Sequence, residues 1–287
     1  SACLVGSEMC IRDRWWSRVV EHVAHAVRAY WLIALLWIRA AMAYPLSFWT
    51  MTVGGILITF LDFVAIWLMF SHVDTYGGFT LREIALLYGV TSIAFRIADM
   101  LVGSVEKIGQ KVRSGDLDAM MTKPVPVLVQ LCADRFELRR LGQIAQGIAV
   151  FAWAAPIVDW NPQRLLVLVV ALVSGVVIYF CVFVIFSTIQ FWTTDASEFA
   201  NAFTYGGNTI MQYPMTIFPR EVVRSLTYLL PLAFVNWYPC LFLLGRTDPY
   251  GAPDWFRFAS PLAALVLVGL TALVWRQGLR RYRSTGS

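Results

Sequence analysis

Three ionisable side chains fall within long apolar runs of this sequence: Asp62, Arg96 and Asp99. A charge at membrane depth costs ~2.5–3.5 kcal/mol on insertion scales, so such groups face a packed interior or water. Arg96 and Asp99, at i, i+3 on one helix, can pair with each other. That makes them a structural ion pair, with Asp62 near the outer end of its run and partly solvated. The sharper reading joins all three into a proton or ion relay, as in an ion-coupled secondary transporter. A relay needs more than one pair along a path, and no clear inverted repeat relates the two halves of the chain.

Other chemistry finds little support in the residue types. His22 and His25 could share a metal at i, i+3, but no third ligand stands near them, so no metal site is expected. The five cysteines, Cys3, Cys10, Cys132, Cys181 and Cys240, form no C-x-x-C pair and suggest neither a disulfide framework nor a zinc site. No P-loop, G-x-S-x-G or H-E-x-x-H pattern occurs. The sequence therefore assigns no catalytic residue and no cofactor, and any ATP-driven work must come from another subunit.

The elements that position these charges follow from composition. Hydrophobic residues make up 59% of the 287 positions and charged residues 14%, with a mean hydropathy of +0.64. Soluble domains average about 25% charged residues. The expected class is an all-α polytopic membrane protein with one transmembrane domain over residues 15–287. The net charge of +5 is confined between apolar runs, without the basic face of a nucleic-acid binder. Residues 1–14 have neither a signal-peptide core nor a link to the helical pattern, and they read as a non-native tail.

Along the chain, residues 15–44 mix Arg18, Glu21, Arg28 and Arg39 with Trp31, Leu32, Leu35 and Leu36, the pattern of an amphipathic helix at a membrane surface. Apolar runs then follow at Leu46–Phe70, Ile84–Val105, Leu141–Val158, Leu165–Trp192 and Phe258–Trp275. Residues 104–140 hold seven basic residues, and a second basic group, Arg276, Arg280, Arg281 and Arg283, closes the chain. The positive-inside rule puts both in the cytoplasm. Hydropathy would take Ser225–Leu244 as the fifth span, yet Pro231 and Pro239 fall inside it. Two half-helices in a re-entrant external hairpin fit better, with the more polar Ser197–Tyr213 as the fifth span. The basic residues pull the other way, since placing Arg220 and Arg224 inside would sharpen the charge asymmetry. Either choice gives six spans with both termini cytoplasmic.

Inside residues 104–140, Ser114, Gly115 and Asp116 form a helix start, Leu117 to Thr122 is a short helix, and Lys123-Pro124-Val125-Pro126 ends it. Such an element is either a connector or a protruding contact for a cytosolic partner.

From Arg113 to Gln130, with Asp134-Arg135-Phe136 and Arg139-Arg140-Leu141-Gly142, the loop resembles that of bacterial ATP-binding-cassette permeases of the type-2 exporter superfamily. Tyr213-Pro214 through Phe218-Pro219 with Pro231, and Trp275 through Tyr282, agree with the same family. The resemblance implies a permease of the bacterial plasma membrane whose loop carries a coupling helix. Gly115, Asp116, Leu117, Asp118, Met121, Lys123, Pro124 and Pro126 are then the segment that docks on an ATPase. It also implies a pair of ATPase subunits, a second permease subunit (a related chain or another copy), and a re-entrant hairpin carrying prolines much like Pro214, Pro219 and Pro231.

Overall fold

The computed structural model describes residues 24–193 and 196–282. The expected tail, Arg18, Glu21, His22 and Arg283 lie outside them. Helix α1 covers residues 24–42, and a break at Ala43 and Tyr44 leads into α2, Pro45–Met69. Proline at this first position loses no hydrogen bond, because the opening N–H groups of a helix have no intrahelical acceptor. Helix α3, Leu81–Val102, starts at a capping box in which the Thr80 N–H donates to the Glu83 carboxylate at 2.8 Å.

Three short helices follow: α4 (Ile108–Arg113), α5 (Asp116–Met121) and α6 (Val127–Ala133). The chain returns through α7, Arg140–Ala154, and α8, Pro162–Thr188, whose start is capped by Asn161 accepting the Arg164 N–H at 2.7 Å. Helix α9 is Ser197–Met211. Helix α10, Arg220–Arg224, runs on through a wider turn to Leu229. Helices α11, Trp237–Leu244, and α12, Ser260–Arg281, complete the chain.

Helix α3 is the axis of the bundle. It is buried continuously from Ile84 to Phe95 and packs on α7, α8 and α9, while α2 lies outside α7 and α12 outside α8. The two outer helices expose apolar side chains such as Trp49, Leu57, Leu61, Leu265 and Leu273, which require lipid or protein around them.

Among the described residues four helices are long and apolar enough to cross a membrane, and up to five such spans exist if the bent pair formed by α10 and α11 counts as one. The expected third and fifth spans are shorter than the apolar runs suggested: α7 and α9 have 15 residues each. At ~1.5 Å per residue that is about 22 Å, less than a ~30 Å hydrocarbon core.

The stretch that hydropathy would read as a straight fifth span is broken. The segments Arg220–Leu229 and Leu232–Leu244 meet at 80°. Pro231 sits at the break, where it can neither donate to the preceding turn nor let Leu230 continue as helix. Pro239 breaks nothing, because it lies in the first turn of α11, where its missing N–H has no role to lose.

Candidate functional site

The short helices α4 to α6 fold as one unit against the ends of the long ones. At Gly103 the backbone has φ of 57°, and a side chain there would overlap the carbonyls of Cys132 and Asp134. This close approach lets the Ser104 N–H donate to Leu131 O at 3.0 Å and its hydroxyl to the Asp134 carboxylate at 2.9 Å. Lys111 closes the same corner with an ion pair to Asp134 at 2.7 Å. Gln190, beyond the end of α8, receives the Gly109 N–H at 2.9 Å and donates to Glu106 O at 2.9 Å.

Helix α5 begins at Gly115, whose φ of 74° is the left-handed conformation that glycine adopts without strain. Its two faces differ. Leu117 is fully buried, and the Asp118 carboxylate accepts the Tyr282 hydroxyl at 2.8 Å, tying the helix to the end of α12. Burial and that hydrogen bond push Tyr282 up to about 12, so it remains a donor at neutral pH. Gln130 of α6 donates to Met120 O at 2.8 Å and to Val125 O at 2.7 Å, which fixes the Lys123 to Pro126 turn. Asp116, Ala119, Met121, Lys123, Pro124 and Pro126 point outward into open space. The sequence-selected segment thus divides into anchors, Leu117 and Asp118, and an outward surface.

A cluster of ionised groups lies directly above this unit. The Asp99 side chain is completely buried, and both Arg140 and Arg96 pair with it, Arg96 at 3.6 Å. Arg140 also binds Glu137 at 2.7 Å through Nε, and Arg139 binds Glu137 at 2.8 Å. The Tyr205 hydroxyl of α9 stands 3.2 Å from Asp99 and 3.4 Å from Glu106, able to donate to either. Burial pushes the Glu106 carboxyl up to about 7, against the opposing effect of the Tyr205 hydrogen bond. Helices α3, α7 and α9 and the loop unit are therefore joined at one point.

The expected Arg96–Asp99 pair is present, but Asp99 has a second cation, Arg140, that sequence counting treated only as part of a basic loop. Asp62 lies exposed on α2 and joins no ion pair among the described residues. No group of three or more His, Cys, Asp or Glu side chains that could hold a metal occurs among the described residues. Cys132, Cys181 and Cys240 are buried and unbridged, and burial pushes the Cys132 thiol up to about 12, so it packs rather than reacts.

At the opposite end Pro214 and Pro219 precede the bent pair and Pro231 sits at its break. Pro214 and Pro219 flank a short turn whose Thr216 hydroxyl donates to Gly77 O at 2.7 Å, and Tyr250 donates to Met215 O at 3.0 Å. The Asn236 amide donates to Thr91 Oγ1 of α3 at 2.6 Å and to Met211 O. Trp237 is buried and donates to Asp248 at 3.0 Å.

A family model described as ABC-2 family transporter protein matches residues 56–286. The chain belongs to that family. No curated protein and no solved structure matches it. As an ABC-2 permease it is the non-catalytic membrane component of an ABC transporter. The match opens inside α2 and takes in the loop unit, the ion cluster, the bent pair and α12. Membership in the family also implies association with an ABC ATPase and a membrane.

Proposed function

We propose that this permease forms half of the substrate path of an ATP-binding-cassette exporter and takes up the work of a separate ATPase pair through α5 and the turn that follows it. In this reading both termini and residues 104–140 are cytoplasmic, α2, α3, α8 and α12 cross outright, the shorter α7 and α9 complete six crossings together with the turns that adjoin them, and the pair formed by α10 and α11 is a re-entrant external hairpin. The membrane is the bacterial plasma membrane, and the exposed apolar side of α2 leaves room for a second permease subunit, a related chain or another copy.

The observation that carries the reading is the division of α5. An ATPase can drive the bundle only by binding one of its states better than another. That requires a surface to hold and a stiff attachment behind it. Met121, Lys123 and Pro124 supply the surface, while Leu117, the Asp118–Tyr282 hydrogen bond and the Gln130 clamp supply the attachment. The ion cluster then links the loop unit to α3, α7 and α9.

The test is the coupling ratio. In reconstituted complexes Met121→Arg and Lys123→Glu should insert normally yet lose the link between ATP hydrolysis and transport. Variants that transport at the wild-type rate per ATP would remove α5 from the coupling path.

A further inference from the structure

A cavity of about 290 Å³ opens beside the bent pair, between α10 and the loop of residues 248–253 that leads towards α12. It lies at the small end of the range common for small-molecule sites. Arg220 and Arg224 form one wall of it. They stand four residues apart, so their side chains leave the same face of α10 one turn from each other. Both are exposed, and neither makes an ion pair among the described residues. Tyr228, a further turn along, is also exposed, and its hydroxyl makes no hydrogen bond among the described residues.

The acidic groups nearby leave these donors unspent. Asp248 is the carboxylate in the lining, and its Oδ1 accepts the Trp237 indole N–H at 3.0 Å while Oδ2 accepts the N–H groups of Tyr250 and Ala252 at 3.2 and 2.9 Å. Most of its roughly four acceptor positions are thus taken, and it shapes the loop instead of neutralising the arginines. Glu221 follows Arg220 directly, about 100° around the helix and outside the lining, and pairs with neither arginine. Asp254 is held by Arg257 at 2.9 Å. Over Arg220, Arg224, Glu221 and Asp248 the formal charges balance, so placement and not net charge distinguishes the cavity: open guanidinium donors line it and no open carboxylate faces them.

Two guanidinium forks one turn apart, with a hydroxyl beside them, suit an anion that has three or more acceptor oxygens, whereas a carboxylate is satisfied by one fork. We propose that this cavity binds a phosphate group carried by a small polar molecule, with Arg220 and Arg224 gripping its oxygens. The apolar part of the lining is short, Val223, Ala252 and two prolines, and offers no slot for an acyl tail, which favours a water-soluble phosphate over a lipid head. On the permease reading the cavity faces outside; binding itself does not depend on that reading.

The experiment titrates the full chain with inorganic phosphate by calorimetry, without ATP and at an ionic strength fixed with chloride, first in maltoside detergent and then in phosphatidylcholine nanodiscs. Saturable binding is expected in both. Arg220→Gln and Arg224→Gln, both exposed changes that leave the fold intact, should each weaken it about tenfold, the scale of one charge-assisted hydrogen bond, and the double variant should abolish it. Replacing Arg276 and Arg280 with Gln, in the other basic group, should leave it unchanged. No saturable binding, or binding unchanged in the double Arg220 and Arg224 variant, would overturn the proposal. Binding present in detergent and lost in the nanodiscs would also overturn it, by assigning the two arginines to lipid heads. Intact binding in a complex that transports nothing would count against the permease role and not against the site.

Discussion

The two ends of the bundle rely on ion pairs to different extents. At the loop end the joints are ionic: Asp99 with Arg140 and Arg96, Glu137 with Arg139 and Arg140, Lys111 with Asp134. At the bent-pair end one ion pair, Arg246 with Glu83 at 2.8 Å, stands among apolar packing and hydrogen bonds, with Trp237, Leu232 and Val235 buried and Asn236 bound to Thr91. Ion pairs can exchange partners, and a proton or a bound anion shifts them; packed aromatic residues and prolines mostly hold one shape. The comparison assigns movement to the loop end and support to the bent pair.

The largest way to break the contrast is Asp99→Ala. It strands two arginines that the carboxylate neutralises, and it should cost about 3–5 kcal/mol, read as lost unfolding stability in detergent. A double variant that also removes the Arg140 charge should recover part of the loss. At the other end Asn236→Ala removes the donor to Thr91 and Met211 O and should cost about 1–3 kcal/mol, the same at low and high pH.

Glu106 sharpens the difference through pH. Its folded value of about 7 lies above the ordinary 4.5, so folding favours its protonated form. The stabilisation is full below about 4.5 and fades as pH rises through about 7. Glu106→Gln should flatten that slope in unfolding measured from pH 5 to 8; an unchanged slope would remove Glu106 as its source. The smallest effect on stability belongs to Lys123→Glu, an exposed change that should stay within about 0.5 kcal/mol of wild type while transport per ATP falls.

Much of this arrangement was legible in the residues. Pro45, Pro162 and the Thr80–Glu83 pair mark helix starts, and Pro231 marks the break in the apolar run from Ser225 to Leu244. The lengths of α7 and α9 were less legible, because apolar character in the sequence outruns the regular helix. The partners of Asp99 were legible only in part. Arg96 is one turn away, but Arg140 and Tyr205 come from other helices, and sequence spacing says nothing about contacts across a bundle. The facing of Leu117 and Asp118 was hidden for another reason: a helix of six residues is too short to show a periodic apolar stripe.

The central claim is that the outward surface of α5 meets the ATPase and the bent pair does not. A photoreactive residue placed at Met121 or, separately, at the still more exposed Leu229 measures this directly in the assembled complex. Capture of the ATPase subunit from Met121 and none from Leu229 is the expected result. No capture from Met121, or equal capture from both positions, would contradict it.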